Sequence, residues 1–288
     1  MTARIAMLTP DPDSEWYGGR WRDVLDGNAA PLRCAGFEVE ARCWTSADDL
    51  AGFDLVMPLV AWGYHSAAER WAERVERWRD QGVRLQNAAP VLRWNADKTY
   101  LERLAARGAA VVPTLFVARA DAAAMTEAAA RFGVERLVTK PQVSGGAWQT
   151  IRWSPGDALA GGPAAAAMIQ PYLPSIERDG EVSLLYFGGR YSHAIRKVPQ
   201  PGDFRVQPEY DGIITRHEAS ADELAACETV LGAIEEALLY ARIDLVRGLE
   251  GEPLLIELEL IEPDLYLRFD AGEGAAFAAA AAGLLRAR

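Results

Sequence analysis

The chain of 288 residues has little cysteine: Cys34, Cys43 and Cys227 stand far apart, with no C-x-x-C spacing. That excludes a disulfide framework and a thiolate zinc site, and it fits a reducing, cytoplasmic setting. Basic residues are in deficit. Lys and Arg number 30 against 41 Asp and Glu, a net charge of −11, which argues against a nucleic-acid-binding surface while leaving room for local basic patches. The opening MTARIAMLTPDPD lacks a charged segment followed by a long apolar one, so no secretory leader is expected. No apolar run reaches the roughly 18 residues of a membrane span, and no partner membrane is expected. Ala275 to Leu285 is nearly pure alanine, short and small-sided, and reads as a helix packed closely on its neighbours. There is no internal repeat and no disordered linker.

What is present suits a globular protein with a large core: half the residues are hydrophobic and a quarter charged. Arg4 to Thr9 reads as a buried strand stopped by Pro10-Asp11-Pro12-Asp13, and Arg20 to Ala35 as a helix ended by Gly36. Strands are predicted over 37–44, 53–60 and 83–86, with a helix over 67–81 carrying Trp71, Val75 and Trp78 at helical intervals. This alternation predicts a small doubly wound α/β domain over residues 1–92, with ligands at the carboxyl ends of its strands. Two loops fall on that edge: Pro10 to Trp16, and Ala61 to His65. Trp62, Tyr64 and His65 suit a small substrate, or equally the packing of one domain on another. Asp11 and Asp13 could pair with a substrate amine, or simply form an acidic turn.

Asn95 is placed to cap a helix running to Gly108. Lys98 then falls in the first turn, where the helix dipole disfavours a cation and a bound phosphate would relieve it; otherwise it is a surface lysine. A strand over 111–117, a helix over 121–132 and a strand over 136–141 come next. Lys140, ending an apolar strand, does not belong in a core without an anionic partner. Ser144-Gly145-Gly146-Ala147 can present backbone N–H groups to a phosphate, although most such turns are only turns. Further on come a short strand at 170–173, a hairpin turned by Gly188-Gly189, and a helix over 218–240. His193, on the second strand of that hairpin, reads as structural.

Tyr240 to Pro263 carries the chemistry. YARIDLV and PLLIELELIEP read as two strands around a Gly/Glu turn. Side chains two apart share a face, so Glu257 and Glu259 point together and the hairpin brings Asp244 across from them. Three carboxylates on one face repel, and a divalent cation with hard oxygen ligands relieves them; from spacing alone they read equally well as an acidic face in water. Arg242, two residues before Asp244, adds a guanidinium suited to phosphoryl or acyl-phosphate chemistry.

Arg242-x-Asp244, followed thirteen positions on by Glu257-x-Glu259 and then a Pro, resembles the closing motif of ATP-grasp ligases, in the branch of D-alanine–D-alanine ligase and bacterial glutathione synthetase. The resemblance spans essentially the whole chain, with Asp97-Lys98, Lys140-Pro141, the 170–173 strand and the closing motif in the family's order. It implies an ATP-grasp fold: the N-terminal domain of residues 1–92, a central lid subdomain (93–168) and an antiparallel-sheet C-terminal subdomain (169–288) with the metal site. It implies ATP and Mg²⁺, two ions, on Asp244, Glu257 and Glu259; the family usually has Asn where Glu259 stands. Lys98 and Lys140 would meet the phosphates under the Ser144, Gly145 and Gly146 loop, Gln170, Tyr172 and Leu173 the adenine, and Glu177 the ribose. Lys197 and Arg205 match a segment near the transferred phosphate, and Arg242 would stabilise the reacting centre.

The implied activity is that of a ligase. A substrate carboxylate takes the γ-phosphoryl of ATP to become an acyl phosphate, and an amine displaces the phosphate to form an amide. Coupling of two molecules and ring closure within one, as in cycloserine-forming relatives, are both open, with coupling the broader use of the family. A non-catalytic ATP-binding sensor is the alternative of another class. The acid, the amine and the oligomeric state are not named by the sequence; dimers are common among such relatives.

Overall fold

Residue-by-residue alternation explains the N-terminal layer. In β1 (Arg4–Thr9), Ile5 and Met7 enter one hydrophobic cluster and Ala6 and Leu8 another, because successive strand side chains face opposite sides. The computed structural model describes residues 2–13, 19–206 and 210–286; Ser14, Glu15 and Trp16 of the first expected ligand loop lie outside them. Helix α1 (Arg20–Cys34) covers one face and ends at Gly36, whose φ of +88° suits glycine. Strands β2 (Glu38–Cys43) and β3 (Leu55–Met57) flank β1 in parallel, and α2 (Ala68–Asp80) buries Trp71, Val75 and Trp78 on the other face. The layer is doubly wound, as expected. Two strands are shorter than their apolar runs predict. Pro58, which lacks an N–H, ends β3, and the strand expected over 83–86 is a single bridge of Leu85 to Val56.

Asn95 is the first clear correction. It does not open a helix: α3 (Ala89–Trp94), started by Pro90, ends on it, and α4 (Tyr100–Ala106) begins five residues later. The Asn95 side chain instead donates to the Leu258 carbonyl (2.8 Å) and accepts from the Leu260 amide (2.8 Å). Lys98 therefore lies between two helices rather than in a first turn, and its amide donates to the Gln142 carbonyl.

The central sheet has the order β4-β7-β5-β6, from β4 (Leu115–Val117), β5 (Leu137–Pro141), β6 (Ile151–Trp153) and β7 (Ala167–Pro171). Helix α5 (Ala122–Phe132) packs on it, capped by Asp121, whose carboxylate accepts from the Ala124 amide. After α6 (Ser175–Arg178), the C-terminal sheet runs β10-β9-β8-β11-β12, antiparallel throughout. Its members are β8 (Glu181–Phe187), β9 (Arg190–Val198), β10 (Ile213–His217), β11 (Tyr240–Arg247) and β12 (Pro253–Glu259).

Helix α7 (Ala221–Gly232) stops well short of Tyr240. Partners from elsewhere in the chain capture the residues beyond its end: Arg107 holds the Ala233 carbonyl (2.8 Å), Trp94 donates to Glu236, and the Leu239 amide donates to Asn87. Tertiary hydrogen bonds there replace the helix that periodicity predicted. Helix α8 (Ala275–Arg286) does pack closely, burying Phe277, Ala278 and Ala281 in a cluster shared by Ile5, Met7, Leu185 and Phe187. The N- and C-terminal sheets thus share a core. Among the described residues no helix is long and apolar enough to cross a membrane.

Candidate active site

Pairing in the closing hairpin sets the site. β11 and β12 align Arg242 with Glu259 and Asp244 with Glu257, with a bulge just after Asp244. Period-two alternation then puts all four on one face, and one carboxylate oxygen from each of Asp244, Glu257 and Glu259 lies within 4.8 Å of the others. Arg242 grips this group: Nε to Asp244 Oδ1 is 3.0 Å, Nη2 to Oδ2 is 2.9 Å, and Nη2 also bonds Glu259. The next strands add more. Ser183 donates to Asp244 (2.6 Å), and Lys197 bridges Glu181 (2.5 Å) and Asp244 (3.4 Å). From between α3 and α4, Lys98 reaches Glu257 (3.1 Å) and the Ser144 carbonyl (2.7 Å).

Burial and charge pull these groups in opposite directions. Burial works to raise Asp244, but Arg242 and Lys197 outweigh it and hold the carboxyl well below its ordinary value. Glu257 is likewise lowered, with Lys98 and Lys140 overcoming burial. Glu259 goes the other way: burial pushes it to about 7, Arg242 opposing and Glu257 and Asp244 adding to the rise. The Lys140 ammonium makes no hydrogen bond or ion pair among the described residues, and burial, helped by Lys98, lowers its pKa against the pull of Glu257. A half-buried ammonium in that condition suits an anion arriving in the cavity. Three convergent carboxylates offer hard oxygens of the kind Mg²⁺ takes, so the donor set fits such an ion.

These side chains form the floor of a cavity of about 820 Å³. Of the residues singled out from sequence, Trp62, Tyr64 and His65 line it from the N-terminal layer, and Lys98, Lys140, Ser144, Gly145 and Gly146 from the central part. Gln170, Tyr172, Leu173, Lys197, Arg205, Arg242, Asp244, Glu257 and Glu259 complete the wall and floor. His65 packs on the glycine loop so closely that a Cβ on Gly145 would sit 3.2 Å from its Nδ1. Gln170 donates to Thr114, and Arg205 is paired with Asp203 while stacking on Tyr210. Two residues are not in the lining. Glu177 is half-exposed on α6, accepting from Tyr172 and Arg152; Asp11 accepts from the Asp13 amide within its own turn. His193 is buried, bonded through Nε2 to the Leu265 carbonyl, in keeping with a structural role.

Sequence reasoning missed Glu181, Glu262 and Tyr266 in this lining. Glu181 had a usable signal, since the hairpin turned by Gly188-Gly189 brings it directly across from Lys197. Tyr266 lies with its ring centroid 5.9 Å from Lys197 Nζ and 5.7 Å from Arg242 Cζ, reached by a turn after Pro263 that no local pattern marks.

Comparison with known proteins agrees with this geometry. Residues 5–87 match the family model of the N-terminal domain of D-cycloserine synthetase DcsG. The cycloserine biosynthesis protein DcsG of Streptomyces lavendulae is 34% identical over 294 residues, spanning 91% of this chain and 95% of that protein. The crystal structure of D-cycloserine synthetase DcsG superposes with a TM-score of 0.83 at 29% identity, covering 98% of this chain and all of that one (100%). D-alanine–D-alanine ligase from Bacillus anthracis shares the fold, with a TM-score of 0.69 at 16% identity over 99% of this chain and 97% of its own. The chain belongs to the family of DcsG within the ATP-grasp ligases, enzymes that use ATP with metal ions, and is an ATP-dependent carbon–nitrogen ligase.

Proposed function

We propose that this ligase activates the carboxylate of a small amino-acid-like substrate as an acyl phosphate and passes the acyl group to a nitrogen. The observation that carries the reading is the cavity floor. Asp244, Glu257 and Glu259 are gathered against Arg242, Lys98 and Lys197, while Lys140 feels Glu257 but forms no ion pair among the described residues. In this reading Asp244, Glu257 and Glu259 hold two Mg²⁺ ions, whose charge offsets that of the triphosphate. Lys98 and Lys140 meet its phosphate oxygens, with backbone N–H groups of the Ser144-Gly145-Gly146 loop above them. Gln170, Tyr172 and Leu173 bound the end that takes the adenine, and Glu177 stands beside it for the ribose. Residues 1–92, 93–168 and 169–288 act as three subdomains closing on one cavity, and the free thiols suit a reducing cytoplasm.

The substrate carboxylate oxygen attacks the γ-phosphorus in line; the bond to the β-phosphate oxygen breaks and ADP leaves. Lys197 and Arg205 steady the transferred group. The nitrogen then attacks the acyl carbon, loses a proton, and phosphate departs. Arg242 stabilises the oxyanion that forms between these events. No side chain serves as nucleophile; positioning and charge supply the rate.

A second reading is favoured by the likeness to a cycloserine biosynthesis protein: the acid and the nitrogen belong to one molecule, and the product is a ring. Mg²⁺-dependent ADP release is the test, run with amino acids, dipeptides and O-substituted serines. Release that depends on one acid, with a product mass equal to that acid minus water or minus its leaving group, means ring closure; a mass joining two substrates means coupling. ADP release that is absent with every acid, or equal without any, refutes both.

A further inference from the structure

Six carboxylates line the cavity among the described residues: Glu181, Asp244, Glu257, Glu259, Glu262 and Asp264. Five of them are matched to a cation. Glu181 and Asp244 have Lys197, Glu257 has Lys98, Glu259 has Arg242, and Asp264 has Arg268 at 3.2 Å. Glu262 is the exception. Its Oε2 is closed off from solvent with no hydrogen-bond partner. A buried carboxylate left in that state is costly, and proteins keep such groups only where something compensates.

We propose that Glu262 receives the ammonium group of the substrate, which makes the ligand an amino acid or amino-acid derivative rather than a simple acid. This deepens the proposed ligation and rests on it. Position supports the assignment. Glu262 lies three residues beyond Glu259, lines the same cavity, and is close enough to Glu259 and Arg242 to feel both charges. Its surroundings are aromatic. Tyr64, buried in the same wall, has its phenol pushed up by burial first and by Glu262 next, and the buried Tyr240 feels the same charge. Trp62 lines the cavity beside Tyr64. A carboxylate in a wall that also carries Tyr64 and Trp62 suits an alkylammonium, which can pair with the carboxylate and lie against a ring. Burial, reinforced by Glu259, raises the Glu262 carboxyl against the pull of Arg242, and a bound ammonium would favour its ionised form.

The test is calorimetric binding in the presence of ADP and Mg²⁺, with D- and L-alanine, D- and L-O-acetylserine, and 3-acetoxypropionate, the last being O-acetylserine without its amino group. Wild type is expected to bind at least one amine-bearing compound and to bind 3-acetoxypropionate about 10- to 100-fold more weakly, the range for losing one charge-assisted bond. Glu262→Gln is expected to weaken the amine-bearing ligand by the same factor and to leave 3-acetoxypropionate unchanged. Because the substitution replaces a carboxyl whose Oε2 has no hydrogen-bond partner to lose, its melting temperature should be equal to or above that of wild type. Binding of the amine-bearing ligand that survives Glu262→Gln, no binding by any amine-bearing compound, or a marked fall in melting temperature overturns the proposal. Amine-dependent binding lost in Glu262→Gln, with no ADP release from ATP under any acid, leaves the subsite standing and sinks the ligation reading instead.

Discussion

Lys197 offers the most exacting stability test. Its side chain is 4% exposed, between Glu181 at 2.5 Å and Asp244 at 3.4 Å. Burial alone would push its pKa down, but Asp244 and Glu181 outweigh it and hold the lysine above its ordinary value. Lys197→Met keeps much of the side chain's length and removes the charge. Asp244 would retain Arg242, at 3.0 and 2.9 Å, and Ser183. Glu181 would retain no ion pair among the described residues, only the more distant pull of Arg242, and as the nearer group it loses the larger attraction. The penalty therefore falls on Glu181. Removing one partner of a buried pair costs about 3–5 kcal/mol, whereas neutralising both is close to neutral. Urea unfolding in EDTA, followed by tryptophan fluorescence, should show that loss in Lys197→Met and most of it recovered in Lys197→Met/Glu181→Gln. The sign with pH is fixed too. Burial already raises Glu181; without Lys197 it rises further, so the folded single variant holds a proton that the unfolded chain releases. Its deficit against the double variant should then grow with pH above the ordinary glutamate range, by at most about 1.4 kcal/mol per pH unit. A double variant no more stable than the single, or a deficit that shrinks with pH, would refute the reasoning.

Further expectations concern the floor and its supports. Arg242→Ala should lower kcat about 10²–10³-fold with its preferred acid, and near-normal turnover would remove Arg242 from the reaction. Lys140→Met should raise the KM for ATP while changing urea stability little, because the relief from burying the ammonium offsets the lost longer-range attraction of Glu257 and no close ion pair is broken; a large loss of stability would mean that a close partner exists. Asn95→Ala should cost at least about 2 kcal/mol in urea unfolding, since both of its bonds hold the backbone around β12; a cost near zero would mean they contribute nothing net. Gly180 has φ +77°, and an added Cβ would lie 2.3 Å from the Lys197 carbonyl. Gly180→Ala should therefore destabilise by more than about 1 kcal/mol, read from the same unfolding curves, and an unchanged midpoint would contradict that close contact.

Local pattern in the sequence was enough to place most of the strands and the longer helices, but not β6, β10, α3 or α6. Apolar alternation marks β11 and β12, and Gly36 and Asp121 mark a helix end and a helix start, because each acts through its own backbone or nearest neighbours. It was also enough to gather Arg242, Asp244, Glu257 and Glu259 on one face, since a hairpin's register and period of two depend on the strands and turn alone. Tertiary contact decided the rest. Asn95 looks like a helix cap in sequence and instead holds β12, more than 160 positions away (|i−j| = 163 and 165). The helix expected to reach Tyr240 ends at Gly232, because Arg107, Trp94 and Asn87 take the backbone and side chains beyond it. Which carboxylates find a cation is settled in the same way. Glu181 meets Lys197 across two strands, while Glu262, in a loop after β12, forms no ion pair among the described residues. Charge pairing depends on distances between elements, and those distances exist only once the three sheets have packed.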